Sequence, residues 1–208
     1  DLYREAKDRF TASIEPEPAD VFLMAVPTPL DPATKVSNLT YVKSAADSIV
    51  PHLRKGNLVI LESTVPPGTS ERVVIPRLEK SGVRIGEFLY AHCPERAIPG
   101  HTIQEMSENS RIIGGYDRDS IDRATSIYQT FVRGQIYQTD IRTAEFVKLM
   151  ENTCRDVNIA LANEFAQLAE ECGINVWEAI TLANKHPRVS ILNPGPGEGG
   201  HCIAIDPW

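Results

Sequence analysis

The chain contains 208 residues, of which 42% are hydrophobic and 24% are charged, the composition of an ordinary globular protein with a sizeable core. Its formal net charge of −7 argues against a nucleic-acid-binding surface, because phosphate binding requires clustered lysine and arginine. No apolar run is long enough to span a membrane and no signal peptide is visible, so we expect a cytoplasmic protein.

The first predicted strand follows a short helical segment. The chain opens at Asp1, without a methionine, inside what residues 2–9 indicate is the end of a helix, and it stops at Trp208. We therefore expect an internal fragment of a longer protein. A continuous apolar run over residues 21–26 is bounded by turn residues, which is typical of a strand buried on both faces of a parallel sheet. The loop Pro27-Thr28-Pro29 closes this strand.

Helices and strands alternate from there to residue 140. After a helix that ends near residue 53, the predicted elements cover residues 57–61, 70–80, 88–91, 111–113, 117–131 and 135–137. This alternation predicts an α/β fold, in which residues 1–140 form part of a Rossmann-like domain with a mostly parallel sheet. Ligands bind beyond the carboxyl ends of such strands, where the sequence places the loops 26–29, 63–64 and 94–95.

The pattern changes after residue 140. Apolar residues recur at helical spacing over residues 143–171 without a break, which predicts one helix of about 30 residues and roughly 45 Å. A helix of this length usually bridges domains or packs against its symmetry mate. We therefore expect residues 141–208 to form an all-α dimerisation domain, with a homodimer held through the helix 143–172.

The end of the chain carries the most distinctive pattern. Four glycines in six positions, from Gly195 to Gly200, bring the backbone close to a ligand and permit conformations that other residues avoid. Cys202 follows at once, and Asp206 lies four residues further on. A nucleophilic cysteine needs an acid or base partner and a backbone-lined cradle for developing charge, and this segment offers both. The alternative is a glycine-rich turn with a buried structural cysteine.

The pattern Gly197-x-Gly199-Gly200-x-Cys202-x-x-x-Asp206 resembles the catalytic loop of the nucleotide-sugar 6-dehydrogenases, the UDP-glucose/GDP-mannose dehydrogenase family. Four further motifs fall in that family's order: Val26-Pro27-Thr28-Pro29, Ser63-Thr64-Val65-Pro66-Pro67-Gly68-Thr69, Pro94-Glu95 and Lys148-x-x-x-Asn152. The resemblance covers essentially all 208 residues. It implies that the family's first strand–helix unit, with its Gly-x-Gly-x-x-Gly turn, and its third domain lie outside this sequence, and that this chain alone is inactive.

The resemblance also implies a two-step, NAD-dependent oxidation of a UDP-sugar's C6 alcohol to the uronate. Lys148 and Asn152 would hold the oxygen developing at C6, and Cys202 would form a thiohemiacetal and then a thioester. Water assisted by Asp206, Glu95 and Thr64 would release the acid. The expected NAD contacts are Val26, Pro27, Thr28, Pro29, Ser63 and Thr64. The expected substrate contacts are Glu95, Arg96, Lys148, Asn152, Arg188, Asn193, Gly197 and Gly199.

Two departures from the UDP-glucose enzymes favour an amino sugar as substrate. Cys93 stands where those enzymes have asparagine, and Pro99 stands where they have a second glutamate. The amino-sugar branch of the family commonly has Pro-Glu-Arg-x-x-Pro-Gly, as residues 94–100 have here. We therefore expect UDP-N-acetyl-D-mannosamine as the substrate, ahead of UDP-N-acetylglucosamine and UDP-glucose.

Two other classes of protein stay compatible with the sequence. A 3-hydroxyacid or 6-phosphogluconate type dehydrogenase shares a Rossmann-like domain, a long helix and Lys-x-x-x-Asn, but it uses no cysteine nucleophile. A non-catalytic scaffold would keep the fold for dimerisation alone. Taken by themselves, Lys148 and Asn152 also fit an exposed helix face that carries Glu145, Glu151, Arg155 and Asp156.

The four cysteines are widely and unevenly spaced. They show no Cys-x-x-Cys or paired-histidine pattern, so we expect neither a disulfide framework nor a metal site. Cys154 and Cys172 lie on the apolar side of the long helix and are expected in the core. His201 adjoins the predicted nucleophile, but UDP-glucose enzymes commonly have serine there, so we expect a packing or specificity role for it.

Overall fold

The computed structural model describes residues 4, 6–98, 100–197 and 202–207. Part of the predicted helix over residues 2–9 therefore lies outside the described residues, as do Pro99, Gly199 and His201. The strands are β1 (Val21–Met24), β2 (Leu58–Leu61), β3 (Leu89–His92), β4 (Arg111–Gly115) and β5 (Ile136–Asp140). The α-helices are α1 (Thr40–Ile49), α2 (Ile75–Leu78), α3 (Thr102–Glu108), α4 (Arg118–Tyr128), α5 (Ile141–Glu171) and α6 (Val176–Ala183). A π-helical segment, Ser70–Val74, leads directly into α2.

The five strands form one sheet in which they lie side by side in chain order. β1, β2 and β3 are parallel, β4 runs antiparallel to β3, and β5 is parallel to β4. The predicted α/β fold with a mostly parallel sheet is thus confirmed. Because β1 to β3 end at the same edge, which we call the carboxyl edge, the reversal of β4 brings its first residue, Arg111, to that edge as well.

Side chains alternate between the two faces of the sheet, and helices cover both faces. On one face, Val59 and Tyr90 belong to a core that includes residues of α1 and α2. On the other face, Ile60 and Ala91 pack with Tyr128 of α4. This burial from both sides explains why the central strands are apolar runs without alternation.

The prediction that residues 21–26 form a strand buried on both faces was wrong in part. The strand ends at Met24, and Leu23 is 56% exposed although Phe22 and Met24 are buried. β1 is one of the two edge strands of the described sheet, and α4 packs over β2 to β5 instead. The face of β1 that carries Leu23 therefore has no helix over it among the described residues.

The long helix α5 begins directly at the end of β5, because Asp140 accepts a hydrogen bond from the backbone N–H of Thr143 at 2.9 Å. Its first turns pack closely on β4. A Cβ added to Gly114 would lie 2.6 Å from the Cβ of Ala144, so only glycine permits this approach. The start of α5 therefore belongs to the α/β unit itself.

The prediction of a separate all-α dimerisation domain was wrong for the part of the chain that is described. Beyond β5 this part contains α5, which is anchored on the sheet, and α6, which packs against α5. Burial of Ile141 and Ala144 against the sheet is the physical reason, because it joins α5 to the α/β core. None of the described helices combines the length and the apolar character that a membrane crossing requires.

Candidate active site

The loops that follow β1 and β2 are hydrogen-bonded to each other at the carboxyl edge. The Ser63 hydroxyl accepts a hydrogen bond from the Val26 N–H at 2.8 Å and donates to the Val26 carbonyl at 2.7 Å. The Thr28 hydroxyl donates to the Thr64 carbonyl at 2.8 Å. Parallel pairing ends both strands at the same level, which brings these loops together. We call residues 26–29 and 63–69, which include the expected NAD contacts, the cofactor ledge.

The far end of the cofactor ledge is fixed by its own backbone. Gly68 has a φ of +86°, in the left-handed region that favours glycine. The Thr69 hydroxyl donates to the Pro66 carbonyl at 2.6 Å, and the Arg72 guanidinium donates to the Pro67 carbonyl at 2.6 Å. The ledge therefore has a defined shape up to the helix that follows it.

Glu145 links the cofactor ledge to α5. Its side chain is 0% exposed, and its carboxylate accepts hydrogen bonds from the N–H of Gly68 and, at 2.8 Å, from the N–H of Ser70. Burial raises the pKa of Glu145, and the hydrogen bonds from Ser70 and Gly68 partly offset that rise. The alternative that Glu145 belongs to an exposed charged face is therefore wrong, because the packing of α5 against the ledge encloses it.

Lys148 and Asn152 follow on α5, one and two turns after Glu145. Asn152 is buried, and its side-chain amide donates a hydrogen bond to the carboxylate of Asp206. Burial raises the pKa of Asp206, although the Asn152 hydrogen bond and the charge of Lys148 act in the opposite direction. The structure thus brings together three polar residues that two separate motifs predicted.

Cys202 begins the turn that carries Asp206. The Cys202 carbonyl accepts hydrogen bonds from the N–H of Ile205 at 3.0 Å and of Asp206 at 2.9 Å. The Cys202 side chain is exposed, so the predicted alternative of a buried structural cysteine does not describe it. A nucleophile must be open to its substrate, and this thiol is.

Glu95 is hydrogen-bonded through both carboxylate oxygens. Oε1 accepts from the N–H of Arg96 at 2.7 Å and of Ala97 at 2.8 Å, and Oε2 accepts from the Arg111 guanidinium at 2.8 Å. Burial by itself would raise the pKa of Glu95, but the hydrogen bonds from Arg111 and these amides hold it below its ordinary value. Glu95 is therefore an ionised and firmly oriented group.

Arg111 is a residue of the site that the sequence reasoning missed. It is buried, and besides Glu95 it pairs with Glu62 at 3.9 Å and lies 4.9 Å from the centroid of the Tyr128 ring. The Tyr128 hydroxyl donates to Glu62 at 2.6 Å. The signal for Arg111 in the sequence is an arginine at the first position of an otherwise apolar strand.

Burial in the same cluster raises the pKa of Cys93 to about 11, which makes that thiol unreactive.

Two clefts lie along α5, and Lys148 and Asn152 line the second of them. The first, of about 750 Å³, separates the cofactor ledge from α5 and is lined by Thr28, Thr64, Asp206 and apolar side chains such as Val65. Apolar walls with a few hydroxyls suit a planar ring, so the residues present fit the expected NAD. The second, of about 500 Å³, is lined by polar and charged residues: Arg96, Asn109, Ser110, Lys148, Glu151, Asn152, Cys154 and Arg155.

The expected substrate contacts divide into two groups. Arg96 lines the second cleft, where its guanidinium binds Glu151 at 2.8 and 3.1 Å and the Ser110 carbonyl at 2.6 Å. Arg188, Asn193 and Gly197 are exposed, and none of them lines either cleft. The described structure therefore gathers Glu95, Arg96, Lys148 and Asn152 near the carboxyl edge but does not bring the other three to them.

Two asparagines of α5, missed by the sequence reasoning, direct the chain back toward Cys202. Asn158 accepts from the Leu192 N–H at 2.9 Å and donates to the Ser190 carbonyl at 2.8 Å. Asn163 accepts from the Gly195 N–H at 2.9 Å. Asparagine in mid-helix, where its intrinsic propensity is low, is the signal that the sequence offers for them.

The prediction that Cys154 and Cys172 lie in the core was wrong, because both are exposed. Their side of α5 faces away from the sheet, and the described residues do not cover it. Cys154 lines both clefts, whereas Cys172 lines neither.

Comparison with known proteins identifies two domains of one family. Residues 3–132 match the NAD binding domain of the UDP-glucose/GDP-mannose dehydrogenase family, and residues 142–208 match its central domain. The expectation that NAD is the cofactor is confirmed by the first match.

Individual relatives are similar over nearly the whole chain. The chain is 59% identical over 196 residues to the UDP-N-acetyl-D-mannosamine dehydrogenase of Methanocaldococcus jannaschii, covering 93% of this chain and 45% of that protein. It is 52% identical to the NDP-N-acetyl-D-galactosaminuronic acid dehydrogenase of Ralstonia nicotianae, covering 95% and 48%. A solved UDP-D-ManNAc dehydrogenase from Pyrococcus horikoshii superposes with a TM-score of 0.87 at 50% identity, covering 91% of this chain and 45% of that one. The chain thus spans about half the length of these relatives.

Proposed function

Because this chain belongs to the UDP-glucose/GDP-mannose dehydrogenase family, we propose that its protein oxidises the C6 alcohol of a UDP-sugar to the carboxylate with NAD. The observation that carries this proposal is the meeting of Lys148, Asn152 and Asp206 at the carboxyl edge, beside the NAD-fitting cleft. NAD, when bound, accepts a hydride in each of two oxidations.

Lys148 and Asn152 stabilise the oxygen at C6. A protonated amine and an amide N–H are donors that strengthen as negative charge develops on that oxygen. The thiolate of Cys202 then adds to the carbonyl carbon of the aldehyde, forming a C–S bond and a thiohemiacetal. The second oxidation converts this adduct to a thioester. Covalent capture keeps the reactive aldehyde on the protein.

Asp206 is the base that activates water for thioester hydrolysis in this proposal. Its raised pKa makes its carboxylate a better proton acceptor, and Asn152 holds it in place. Water adds to the thioester carbonyl, the C–S bond breaks, and the carboxylate and the free Cys202 thiol are released. Thr64 lines the same cleft and orients the water, whereas Glu95, with a lowered pKa, supports the Glu95–Ala97 loop as an anion.

UDP-N-acetyl-D-mannosamine is the substrate that we propose, because relatives that carry this name are 59% and 48% identical to the chain. The relative named for N-acetyl-D-galactosaminuronic acid, at 52% identity, makes a second amino sugar the main competitor. The second cleft, which Arg96, Lys148 and Asn152 line, is the proposed sugar site, and Glu95 is proposed as a contact beside it. Arg188, Asn193, Gly197 and Gly199 are proposed to contact the nucleotide sugar outside this cleft.

We also propose that residues 1–140 serve cofactor binding and residues 141–208 substrate binding, although α5 packs on the sheet, and that the protein forms a homodimer through α5. Six large apolar side chains of α5 are between 37% and 61% exposed: Phe146, Met150, Val157, Leu161, Phe165 and Leu168. The first four also line the first cleft, whereas Phe165 and Leu168 lie outside both clefts. Apolar residues in such a continuous stripe are typical of a helix that packs against a partner. We also propose a cytoplasmic location, since nucleotide sugars are made there.

The test is a substrate panel with the purified complete protein. We expect NADH formation with UDP-N-acetyl-D-mannosamine, at two NADH per sugar, and less with UDP-N-acetylgalactosamine, UDP-N-acetylglucosamine and UDP-glucose. One NADH per turnover, with activity retained by Cys202→Ala, would support the 3-hydroxyacid type of dehydrogenase instead. Cys172→Ala is the matched control, because this exposed cysteine lies at the far end of α5, about 30 Å along the helix axis from Asn152. No NADH with any of these sugars would support the non-catalytic scaffold.

A further inference from the structure

Glu145 is a buried carboxylate for which the proposed reaction has no step. No lysine or arginine forms an ion pair with it among the described residues, and the nearby Glu71 raises its pKa further. Its carboxylate is stabilised by two backbone N–H groups, those of Gly68 and Ser70. A buried carboxylate without a cation is costly, and an apolar side chain would fill the space at lower cost.

The partners of Glu145 come from three different elements. Gly68 belongs to the cofactor ledge and Ser70 to the helix that follows it, 77 and 75 residues before Glu145. The Ser70 hydroxyl in turn accepts a hydrogen bond from the buried Tyr90 hydroxyl of β3 at 2.9 Å. The carboxylate therefore joins α5 to the ledge at a point that is itself anchored on the sheet.

The position of Glu145 on α5 determines which other side chains its hydrogen bonds hold in place. Lys148 is about 4.5 Å and Asn152 about 10.5 Å further along the helix axis, and all three residues point to the same side of the helix. An α-helix is stiff over two turns, so fixing Glu145 fixes both the rotation and the axial position of Lys148 and Asn152. The cofactor ledge, to which Glu145 is hydrogen-bonded, carries Thr28 and Thr64 beside the NAD-fitting cleft.

We propose that Glu145 is a positioning residue that couples the cofactor ledge to Lys148 and Asn152. It holds the groups that bind the C6 oxygen at a fixed distance from the residues that bind NAD. The part of this inference that concerns catalysis rests on the proposed function. Hydride transfer is sensitive to the separation of its two carbons, and a displacement of about 1 Å can cost roughly 100-fold in rate.

The first experiment needs no turnover. Hydrogen exchange of the complete protein is measured with and without NAD, in wild type and in Glu145→Gln, which keeps the size of the side chain but removes its charge. We expect NAD alone to slow exchange in the ledge and also, about fivefold, in residues 146–156 of wild type. In the variant the ledge should still respond to NAD, whereas residues 146–156 should not. Equal protection of residues 146–156 in both proteins would overturn the coupling.

The second experiment measures turnover. In Glu145→Gln we expect kcat to fall about 10- to 100-fold while the KM values for NAD and sugar stay within about twofold. Asn57→Ala is the matched control: this buried asparagine just before β2 also accepts a hydrogen bond from a backbone N–H, that of Arg54 at 2.7 Å, but it lies at the edge of the sheet opposite the carboxyl edge. We expect it to lower Tm to a similar extent with kcat unchanged.

The two experiments distinguish failure of the positioning role from failure of the proposed function. If wild type is active and Glu145→Gln keeps its kcat, the positioning role is wrong and the proposed function stands. If wild type oxidises none of the sugars, the proposed function is wrong, and the exchange of residues 146–156 still decides whether the coupling exists. Should Glu145→Gln fail to fold, Glu145→Asp, which keeps the charge on a shorter arm, replaces it in both arms with the same criteria.

Discussion

Arg111 lies buried between Glu62 and Glu95 and stacks against Tyr128. Its positive charge and the negative charges of the two glutamates stabilise one another in this buried position. Replacing it by methionine would keep much of its volume but leave Glu95 without its cation in a half-buried site. We expect Arg111→Met to lower the free energy of unfolding by about 3 kcal/mol, in the range for breaking a buried ion pair. Urea denaturation of the complete protein measures this change.

The control for that substitution is Arg118→Met. Arg118 pairs with Asp122 one turn along α4 at 2.9 Å, but both side chains are largely exposed. Exposed pairs of this kind contribute less than about 1 kcal/mol. Equal losses in the free energy of unfolding in the two variants would contradict the claim that the Arg111 ion pair is strongly stabilising because it is buried.

Asp206 should control the pH dependence of thioester hydrolysis. Its carboxylate acts as a base only when ionised, and burial raises its pKa above the ordinary aspartate value. We therefore expect hydrolysis to be slow at low pH, to rise through the raised pKa and to level off above it. Asp206→Asn should remove this rise and slow hydrolysis by about 100-fold or more. Single-turnover measurements across pH test this, and a variant that keeps both the rate and the profile would exclude Asp206 as the base.

At the scale of elements, α5 has two functions on different sides. One side buries Glu145 and Asn152, and another exposes the apolar stripe from Phe146 to Leu168. We expect Leu168→Glu to convert a dimer to a monomer, because it places a charge in that stripe at a position outside both clefts. Sedimentation velocity measures the oligomeric state.

Glu170→Lys is the control on the same helix, since Glu170 is exposed and lies on the side of α5 opposite Leu168. It should leave the oligomeric state unchanged. Wild-type protein that sediments as a monomer would contradict the proposed dimer.

Local spacing in the sequence was sufficient to predict α5 and the shared face of Lys148 and Asn152, because helix geometry relates residues four apart. It could not predict the burial of Glu145 or Arg111. Their partners lie 75 and 77 residues away for Glu145, and 16 and 49 for Arg111, so their environment is set by which elements pack together. The same limit explains the errors at Leu23 and Cys154, whose apolar surroundings do not show which side the sheet covers.

At the scale of the whole molecule, most of the proposed site residues meet at the carboxyl edge of the sheet. The cofactor ledge follows β1 and β2, and Glu95 follows β3. Arg111 begins the antiparallel strand β4, and Lys148 and Asn152 lie on α5. The direction of β4 was not evident from the sequence. A β4 parallel to β3 would have placed Arg111 at the opposite edge of the sheet. The alternation of strands and helices predicted the layers but not this reversal.

The central claim is that Cys202 forms a covalent intermediate during the oxidation. The most direct measurement is the intact mass of Asp206→Asn protein, quenched in acid after incubation with NAD and UDP-N-acetyl-D-mannosamine. We predict one added UDP-sugar acyl group, located on the peptide that contains Cys202 and absent from the Cys202→Ala/Asp206→Asn double variant. NADH formation without any adduct on that peptide would contradict the account.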